Sequence, residues 1–330
     1  MQICDNCFKD EEMQNAVRNE AKGEGICDAC GQKAAVTDIN LFADFFESLL
    51  GLFTLDAEGQ EVVKLIQFDW DIFATEEIGN AIIGYFVKDS VYGYTLSDKV
   101  SYVNKVTDYV DGWTRLKKYL MEVSRFATDV SDYFDPQILS SNSGIRENTI
   151  LYRARVTPSD KRFLMKHEMG CPPSNLAPSG RANPQGIPYL YLCQEENTTY
   201  YEVRALYLDK LTIGHFKVKR DLRILDFTTQ LSLYYAYNNS TSMLADEIAK
   251  QKILLLISKD LSKPLRRFDT ELEYVPTQYV CEYCKLNGVN GIRFNSSLHK
   301  GGVNVVLFDS SCAECIKVRT REITSVTIKK

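Results

Sequence analysis

The sequence has no long apolar run and no excess of positive charge. No apolar segment approaches the roughly 20 residues that a membrane-spanning helix needs, so a membrane partner is not expected. The first residues, Met-Gln-Ile-Cys, are not a basic segment followed by an apolar one, which argues against a secretory signal and predicts a cytoplasmic location. The formal net charge is -5 at pH 7. A nucleic-acid partner held mainly by phosphate contacts is therefore not expected either.

Cysteine is abundant: there are ten cysteines, and eight of them form four Cys-x-x-Cys pairs. Without an export signal, this spacing indicates metal ligation or free thiols before it indicates disulfides. The first two pairs predict a structural Zn²⁺ site, since four thiolates can surround one tetrahedral ion and leave no open position for catalysis. The predicted ligands are Cys4, Cys7, Cys27 and Cys30.

The last four paired cysteines leave two interpretations open. They could hold a second zinc ion, or they could be small buried thiols, because the first pair falls in a predicted helix. These residues are Cys281, Cys284, Cys312 and Cys315.

At 330 residues, the chain is long enough for two domains or for one large domain with an appendage. From residue 38 to about 134, apolar residues recur at helical spacing, which predicts an all-helical region with an aromatic core. Asp135-Pro136 and the Ser/Asn-rich segment 140–144 mark a break. Mixed strand and helix patterns follow. We predict an α+β protein with a zinc-binding element (1–36), a helical domain (37–138) and a mixed α/β domain (148–318).

Residues 181 to 204 bring together basic, aromatic and acidic side chains that could bind a ligand. A basic loop leads into a predicted strand, Ile187–Cys193, which places Tyr189 and Tyr191 on one face. A helix is predicted to begin near residue 198 or 199, with Glu202 in its first turn. Glu202 has two interpretations: a carboxylate facing a ligand, or the last residue of a capping box, Thr199-x-x-Glu202.

A second group of charges precedes this stretch. The alternating segment 149–156 predicts a strand, with Arg153 and Arg155 on one face. Two arginines on a strand face are usually solvated. Beside a tyrosine-lined cleft they would instead form a fork for phosphate, which guanidinium groups bind in bidentate geometry.

Several short motifs occur in a fixed order between residues 148 and 310. They are Leu151-Tyr-Arg153, Gly180-Arg-Ala-Asn-Pro-x-Gly186-x-Pro-x-x-Tyr191, Glu202, Gln278 and Gly291-Ile-Arg-Phe-Asn-Ser296. As an ordered set they resemble the RES-domain family. The N-terminal half resembles the HEPN-type helical domain that precedes some RES domains. HEPN ribonucleases carry an Arg followed closely by His, whereas Arg125 has no His after it until His167. Ribonuclease activity is therefore not expected.

The resemblance implies a fold like that of ADP-ribosyltransferases and a toxin or defence effector that cleaves NAD⁺ at the nicotinamide–ribose bond. Carried over by motif, the catalytic residues are Glu202, Arg153, Tyr191 and Ser296. The NAD⁺-binding residues are Arg153, Arg155, Arg181, Tyr191 and Ser296. Ser297 is an alternative to its neighbour, since a shift of one residue would exchange them.

The resemblance leaves the acceptor open. Water or phosphate would make the protein a glycohydrolase or a phosphorylase, and a macromolecular acceptor would make it an ADP-ribosyltransferase. A non-catalytic module that senses nucleotide is the alternative of a different class. An NAD⁺-depleting toxin also implies an antitoxin or other regulatory protein partner, and a homo-oligomer is a further expectation.

Overall fold

A computed structural model describes residues 1–88, 91–229, 231–240, 243–263 and 271–325. Contacts divide the chain into two compact units, 1–111 with 230–252, and 112–229 with 253–330. The first unit therefore takes in a segment from far along the chain. The predicted domain boundaries themselves stay predictions.

The first unit contains two small antiparallel sheets and several helices. Its elements are β1 (Gln2–Ile3), α1 (Glu11–Glu20), β2 (Gly23–Ile26), β3 (Lys33–Asp38), α2 (Ala43–Leu50), β4 (Phe53–Glu61), α3 (Val62–Trp70), α4 (Glu76–Val87), β5 (Lys99–Tyr102), the start of α5 (Asn104–Glu122), α7 (Leu233–Asn239) and the start of α8 (Leu244–Ser262). β1, β3 and β2 form one sheet, in that order, and β4 pairs with β5 in the other. Aromatic side chains such as Phe45, Phe46 and Phe73 are fully buried in its core, as the helical periodicity predicted.

The prediction that residues 37–138 are all helical is wrong, because β4 and β5 lie among these helices. The pairing skips residues 56–59 of β4 between Leu55 and Gln60. Gly59 permits this irregularity, since a Cβ there would lie 2.2 Å from the Val100 carbonyl oxygen. The α+β class is confirmed, but the helical periodicity of this region did not reveal its antiparallel strand pair, β4 and β5.

The second unit is built on an eight-stranded mixed sheet. Its remaining elements are β6 (Ser143–Ile145), β7 (Ile150–Val156), β8 (Leu190–Cys193), α6 (Glu196–Glu202), β9 (Lys210–Val218), β10 (Leu222–Asp226), α9 (Val275–Leu286), β11 (Gly291–Asn295), β12 (Val303–Leu307) and β13 (Ala313–Glu322). The strand order is β13-β9-β7-β8-β12-β11-β10-β6, and β10–β11 is its one parallel pair among the described residues. Leu151, Leu190, Leu192 and Val305 belong to the apolar core on one face of this sheet.

Within the described ranges, no helix is both long and apolar enough to cross a membrane.

Candidate functional site

A row of paired residues crosses four neighbouring strands and lines a cleft of about 340 Å³. Tyr152 of β7 pairs with Cys193 of β8, Cys193 pairs with Asn304 of β12, and Asn304 pairs with Phe294 of β11. Residues directly opposite one another in a sheet project from the same face, so the register brings these four side chains together. Tyr191, two residues before Cys193, lies on that same face. The register thus assembles one wall of the cleft from segments that are far apart in sequence.

Glu202 lies at the end of a helix, not at its beginning. The helix α6 runs from Glu196 to Glu202, with Glu195 as its N-cap residue. The prediction that it starts near residue 198 is wrong, and the capping box is absent: the Thr199 hydroxyl donates to the Glu196 carbonyl oxygen at 2.6 Å. Because Glu202 does not cap the helix N-terminus, its carboxylate is available to the cleft that it lines.

Two donors hold one oxygen of the Glu202 carboxylate. The Ser296 hydroxyl donates to Oε1 at 2.6 Å, and the Asn304 side-chain amide donates to the same atom at 2.8 Å. No described residue forms a hydrogen bond with Oε2. The two donors therefore fix the carboxylate while leaving its second oxygen available to a bound molecule. Burial, together with the nearby Glu202 charge, raises the pKa of Cys193 to about 12, so this thiol stays protonated.

Ser296, and not Ser297, is the serine at this carboxylate. Its hydroxyl accepts hydrogen bonds from the backbone N–H groups of Leu298 and His299 at 3.2 and 3.1 Å, which orients it within the turn after β11. Ser297 is exposed. The turn thus positions the hydroxyl that donates to Glu202.

Asn304 was not predicted as a site residue. It is 8% exposed and interrupts the apolar strand Val303–Leu307. A single amide within a buried apolar strand needs hydrogen-bond partners, and this is the signal in the sequence that could have revealed it. Its partners are the Glu202 carboxylate and the Cys193 thiol, which donates to Asn304 Oδ1 at 3.3 Å.

His299 is a second residue that sequence reasoning missed. Its ring stacks on Tyr201 with a centroid distance of 4.5 Å and an interplanar angle of 7°. Its Nδ1 lies 3.0 Å from the Thr198 hydroxyl. Gly302 permits this approach, since a Cβ there would lie 2.7 Å from both of those atoms. These contacts attach the β11–β12 connection to α6 and so hold Ser296 near Glu202.

The loop before β8 is fixed by buried amides. The Tyr191 hydroxyl donates to Asn183 Oδ1 at 2.7 Å and accepts from the Ala182 N–H at 3.2 Å. The Gln278 side-chain amide donates to the carbonyl oxygens of Gly180 and Asn183 at 2.8 and 3.0 Å. Burial raises the pKa of Tyr191, which therefore remains a neutral hydrogen-bonding group. The loop is thus held rigidly, and the Tyr191 ring lines the cleft.

Arg153, a predicted phosphate ligand, interacts with the Cys171 thiol and with no carboxylate among the described residues. It lines the cleft, and its Nη1 atom is buried without a hydrogen-bond partner. Burial lowers the pKa of the Arg153 guanidinium, because a charged group loses hydration there. Among the described residues, no carboxylate forms an ion pair with it.

The other two predicted arginines are partly used by the protein itself. Arg155 Nη1 donates to the Glu168 carbonyl oxygen at 2.5 Å, and Arg155 does not line the cleft around Glu202. Arg181 does line it, yet its Nη1 donates to the Leu261 carbonyl oxygen at 2.9 Å, near the C-terminal end of α8. The structure therefore brings Arg153, Arg181, Tyr191, Glu202 and Ser296 to one cleft and leaves Arg155 outside it.

The first two Cys-x-x-Cys pairs come together in the first unit. Cys4 Sγ lies 3.8 Å from Cys7 Sγ and 3.6 Å from Cys30 Sγ, and the Cys7 and Cys27 sulfurs are 3.4 Å apart. Four sulfurs bound to Zn²⁺ at about 2.3 Å would lie about 3.8 Å apart in a tetrahedron. Burial raises the pKa of the Cys4 and Cys7 thiols, whereas the backbone N–H groups of Cys30 and Ala29 outweigh burial at Cys27 and lower its pKa. The donor set and its spacing fit a structural zinc ion.

The remaining paired cysteines do not meet in this way. In the described part of the chain, the first four paired cysteines form the one group of three or more His, Cys, Asp or Glu ligands close enough to share a metal. The Cys284 thiol instead donates to the Leu139 carbonyl oxygen at 3.4 Å, and the Cys315 thiol donates to the Lys317 carbonyl oxygen at 3.4 Å. The small-thiol interpretation accounts for these contacts.

Comparison with known proteins gives one match at the level of families. No curated protein matches the chain. In the solved crystal structure of the M. tuberculosis MbcT-MbcA toxin-antitoxin complex, one chain is similar at 17% identity, covering 55% of this chain and 87% of that chain with a TM-score of 0.29. A TM-score this low supports no statement about fold or function. The model of the RES domain matches residues 150–328, which is more than half of the chain. The protein belongs to the RES-domain family.

Proposed function

We propose that the protein cleaves NAD⁺ at the bond between nicotinamide and ribose. The observation that carries this proposal is the Glu202 carboxylate, fixed through Oε1 by Ser296 and Asn304 in a cleft that also presents Arg153. RES domains act on NAD⁺, and this chain belongs to that family. A fold like that of ADP-ribosyltransferases is part of the proposal, and the eight-stranded mixed sheet is compatible with it.

The chemistry follows from the charge that develops on the ribose. The C1′–N bond breaks, its electron pair leaves with nicotinamide, and the ribose acquires oxocarbenium character. An enzyme gains rate by stabilising this charge more strongly in the transition state than in the ground state. Glu202 Oε2 would face the ribose cation, as carboxylates do in glycosidases. The acceptor then adds to C1′. If it is water, its second proton passes to Glu202 or to solvent.

The other side chains would bind and orient the substrate. Arg153 would hold the pyrophosphate, because its buried Nη1 has no partner of its own. The Tyr191 ring would lie against nicotinamide, which is planar and cationic before cleavage. Ser296 would act through Glu202 by fixing the carboxylate. Arg181 would bind phosphate with whatever donors its contact to Leu261 leaves available.

The first unit is proposed to stabilise or regulate rather than to catalyse. A Zn²⁺ ion bound by all four cysteines of the first two Cys-x-x-Cys pairs would have no open coordination position and would stabilise the fold around β1 to β3. The HEPN-type assignment, a cytoplasmic location, an antitoxin partner and a homo-oligomer all remain predictions.

Product analysis tests this function directly. Purified protein is incubated with NAD⁺ in phosphate-free buffer and in phosphate buffer, and nicotinamide and ADP-ribose products are separated. We expect nicotinamide release by the wild type, a large loss for Glu202→Gln and wild-type rates for Glu195→Gln, an exposed neighbour in the same segment. ADP-ribose as product identifies a glycohydrolase, and its 1″-phosphate identifies a phosphorylase.

The same experiment separates the alternatives. Label from NAD⁺ appearing on a macromolecule would identify a transferase. Binding of NAD⁺ without any nicotinamide release by the wild type, once co-purifying proteins are removed, would identify a nucleotide-sensing module and contradict the proposal.

A further inference from the structure

A second cavity, of about 310 Å³, adjoins the cleft. The two spaces share Arg153, Gly180 and Tyr191 as wall residues. The second cavity does not include Glu202, and much of its remaining wall is apolar. Its apolar residues include Pro172, Leu176, Ala177, Pro178 and Pro188.

The two cavities adjoin where two strands separate. β7 and β8 are joined at one paired position, Tyr152 with Cys193. The next residue of β7 is Arg153, and it lines both spaces. Arg153 therefore lies between a cavity that contains the Glu202 carboxylate and a second cavity whose lining residues include no carboxylate.

Arg153 interacts with the Cys171 thiol but has no carboxylate partner among the described residues. Its Nη1 is buried without a partner, and Arg155, on the same strand, donates to a carbonyl oxygen rather than to a carboxylate. Arg155 also lines the second cavity. An unpaired buried charge is costly, so such a site favours a ligand that brings negative charge. Tyr189, whose hydroxyl is likewise buried without a partner, lines this cavity too.

A dinucleotide has the corresponding arrangement: two nucleosides joined by a dianionic pyrophosphate. We propose that the second cavity receives the adenosine part of NAD⁺, that Arg153 binds the pyrophosphate between the cavities, and that the nicotinamide riboside lies in the cleft with Glu202. This assignment rests on the proposed function. The apolar wall would cover the adenine faces, and the Arg155 guanidinium can stack on an aromatic ring. The second cavity then determines that the enzyme prefers a dinucleotide to a mononucleotide.

Direct binding of AMP tests this assignment without requiring turnover. Leu176 lines the second cavity and is 68% exposed, so Leu176→Trp narrows the cavity at its rim without disturbing the core. Leu286→Trp is the matched control, since Leu286 is 85% exposed and lines neither cavity. By calorimetric titration, we expect AMP to bind the wild type and the control equally and Leu176→Trp at least tenfold more weakly. The KM for NAD⁺ should rise by a similar factor in Leu176→Trp, with kcat changed less than twofold.

The outcomes separate this inference from the proposed function. If AMP binds Leu176→Trp as tightly as the wild type, or does not bind the wild type at all, the adenosine assignment is wrong, even if the wild type releases nicotinamide. If AMP binding follows the expected pattern but the wild type releases no nicotinamide, the cavity assignment stands and the proposed reaction fails. Unchanged thermal unfolding of both variants would show that the difference in affinity is local.

Discussion

Replacing Ser296 with alanine removes one of the two donors that fix the Glu202 carboxylate. The hydrogen bond from Ser296 Oγ to Glu202 Oε1 is 2.6 Å long and half-buried. A hydrogen bond to a charged group contributes about 1.5–3 kcal/mol. Since about 1.4 kcal/mol corresponds to a tenfold change in rate, Ser296→Ala should lower kcat/KM for nicotinamide release by about ten- to a hundredfold. Asn304 still holds the same oxygen, so activity should not vanish.

Ser297→Ala is the control for this prediction. Ser297 has the same chemistry one residue later but is exposed, and we expect its kcat/KM to stay within twofold of the wild type. Thermal unfolding of both variants checks that the turn keeps its structure, because the Ser296 hydroxyl also accepts from the Leu298 and His299 N–H groups. An equal fall in kcat/KM in the two variants, or an unchanged kcat/KM in Ser296→Ala, would refute the reasoning from this geometry.

Three further predictions follow from individual contacts. Asn304→Ala should also lower kcat/KM by about ten- to a hundredfold, and its effect should not add fully to that of Ser296→Ala because both donate to one oxygen; full additivity would argue against a shared role. Elemental analysis should find one zinc per chain, lost together with thermal stability in Cys27→Ser but retained in Cys312→Ser; equal zinc content in both variants would contradict the site. Although burial opposes its ionisation, Asp226 has a lowered pKa because Arg293 and Thr228 donate to it. Removing one partner of a buried ion pair costs about 3 kcal/mol. The stabilisation linked to the lowered pKa of Asp226 is fully present above the ordinary pKa of 3.8 and is lost as the pH falls through the lowered folded-state pKa. Denaturant titrations should therefore show Asp226→Asn less stable than the wild type at pH 7, with a smaller difference in the free energy of unfolding at pH 2, and an equal difference at both pH values would count against the ion pair.

Much of the second unit could be predicted because its strands bury one apolar face. The predicted strand 149–156 corresponds to β7, and the end of the predicted strand Ile187–Cys193 corresponds to β8. The strand Ala313–Glu322 was missed although Ile316, Val318 and Thr320 alternate with charged residues. It lies at the edge of the sheet and most of its residues are exposed, so apolar burial gives little signal there.

The site was harder to predict because strand register and local hydrogen bonds decide it. The pairing that places Asn304 opposite Cys193 is not visible in either segment alone. Nor does the pattern Thr199-x-x-Glu202 reveal that the helix begins three residues earlier, at Glu196, which turns an expected cap into a C-terminal residue. The grouping of the four cysteines near the N-terminus was easier to predict, because two closely spaced Cys-x-x-Cys pairs are typical ligands of one metal ion.

The most direct test of the central claim is the rate of nicotinamide release from NAD⁺ by wild-type protein and by Glu202→Gln, measured together with the Kd for NAD⁺. Glutamine keeps the shape of the side chain but lacks the charge that would stabilise the ribose cation. The account predicts that the rate falls at least about a hundredfold while the Kd changes little, because the charge acts on the transition state. Nicotinamide release by Glu202→Gln at the wild-type rate would contradict it.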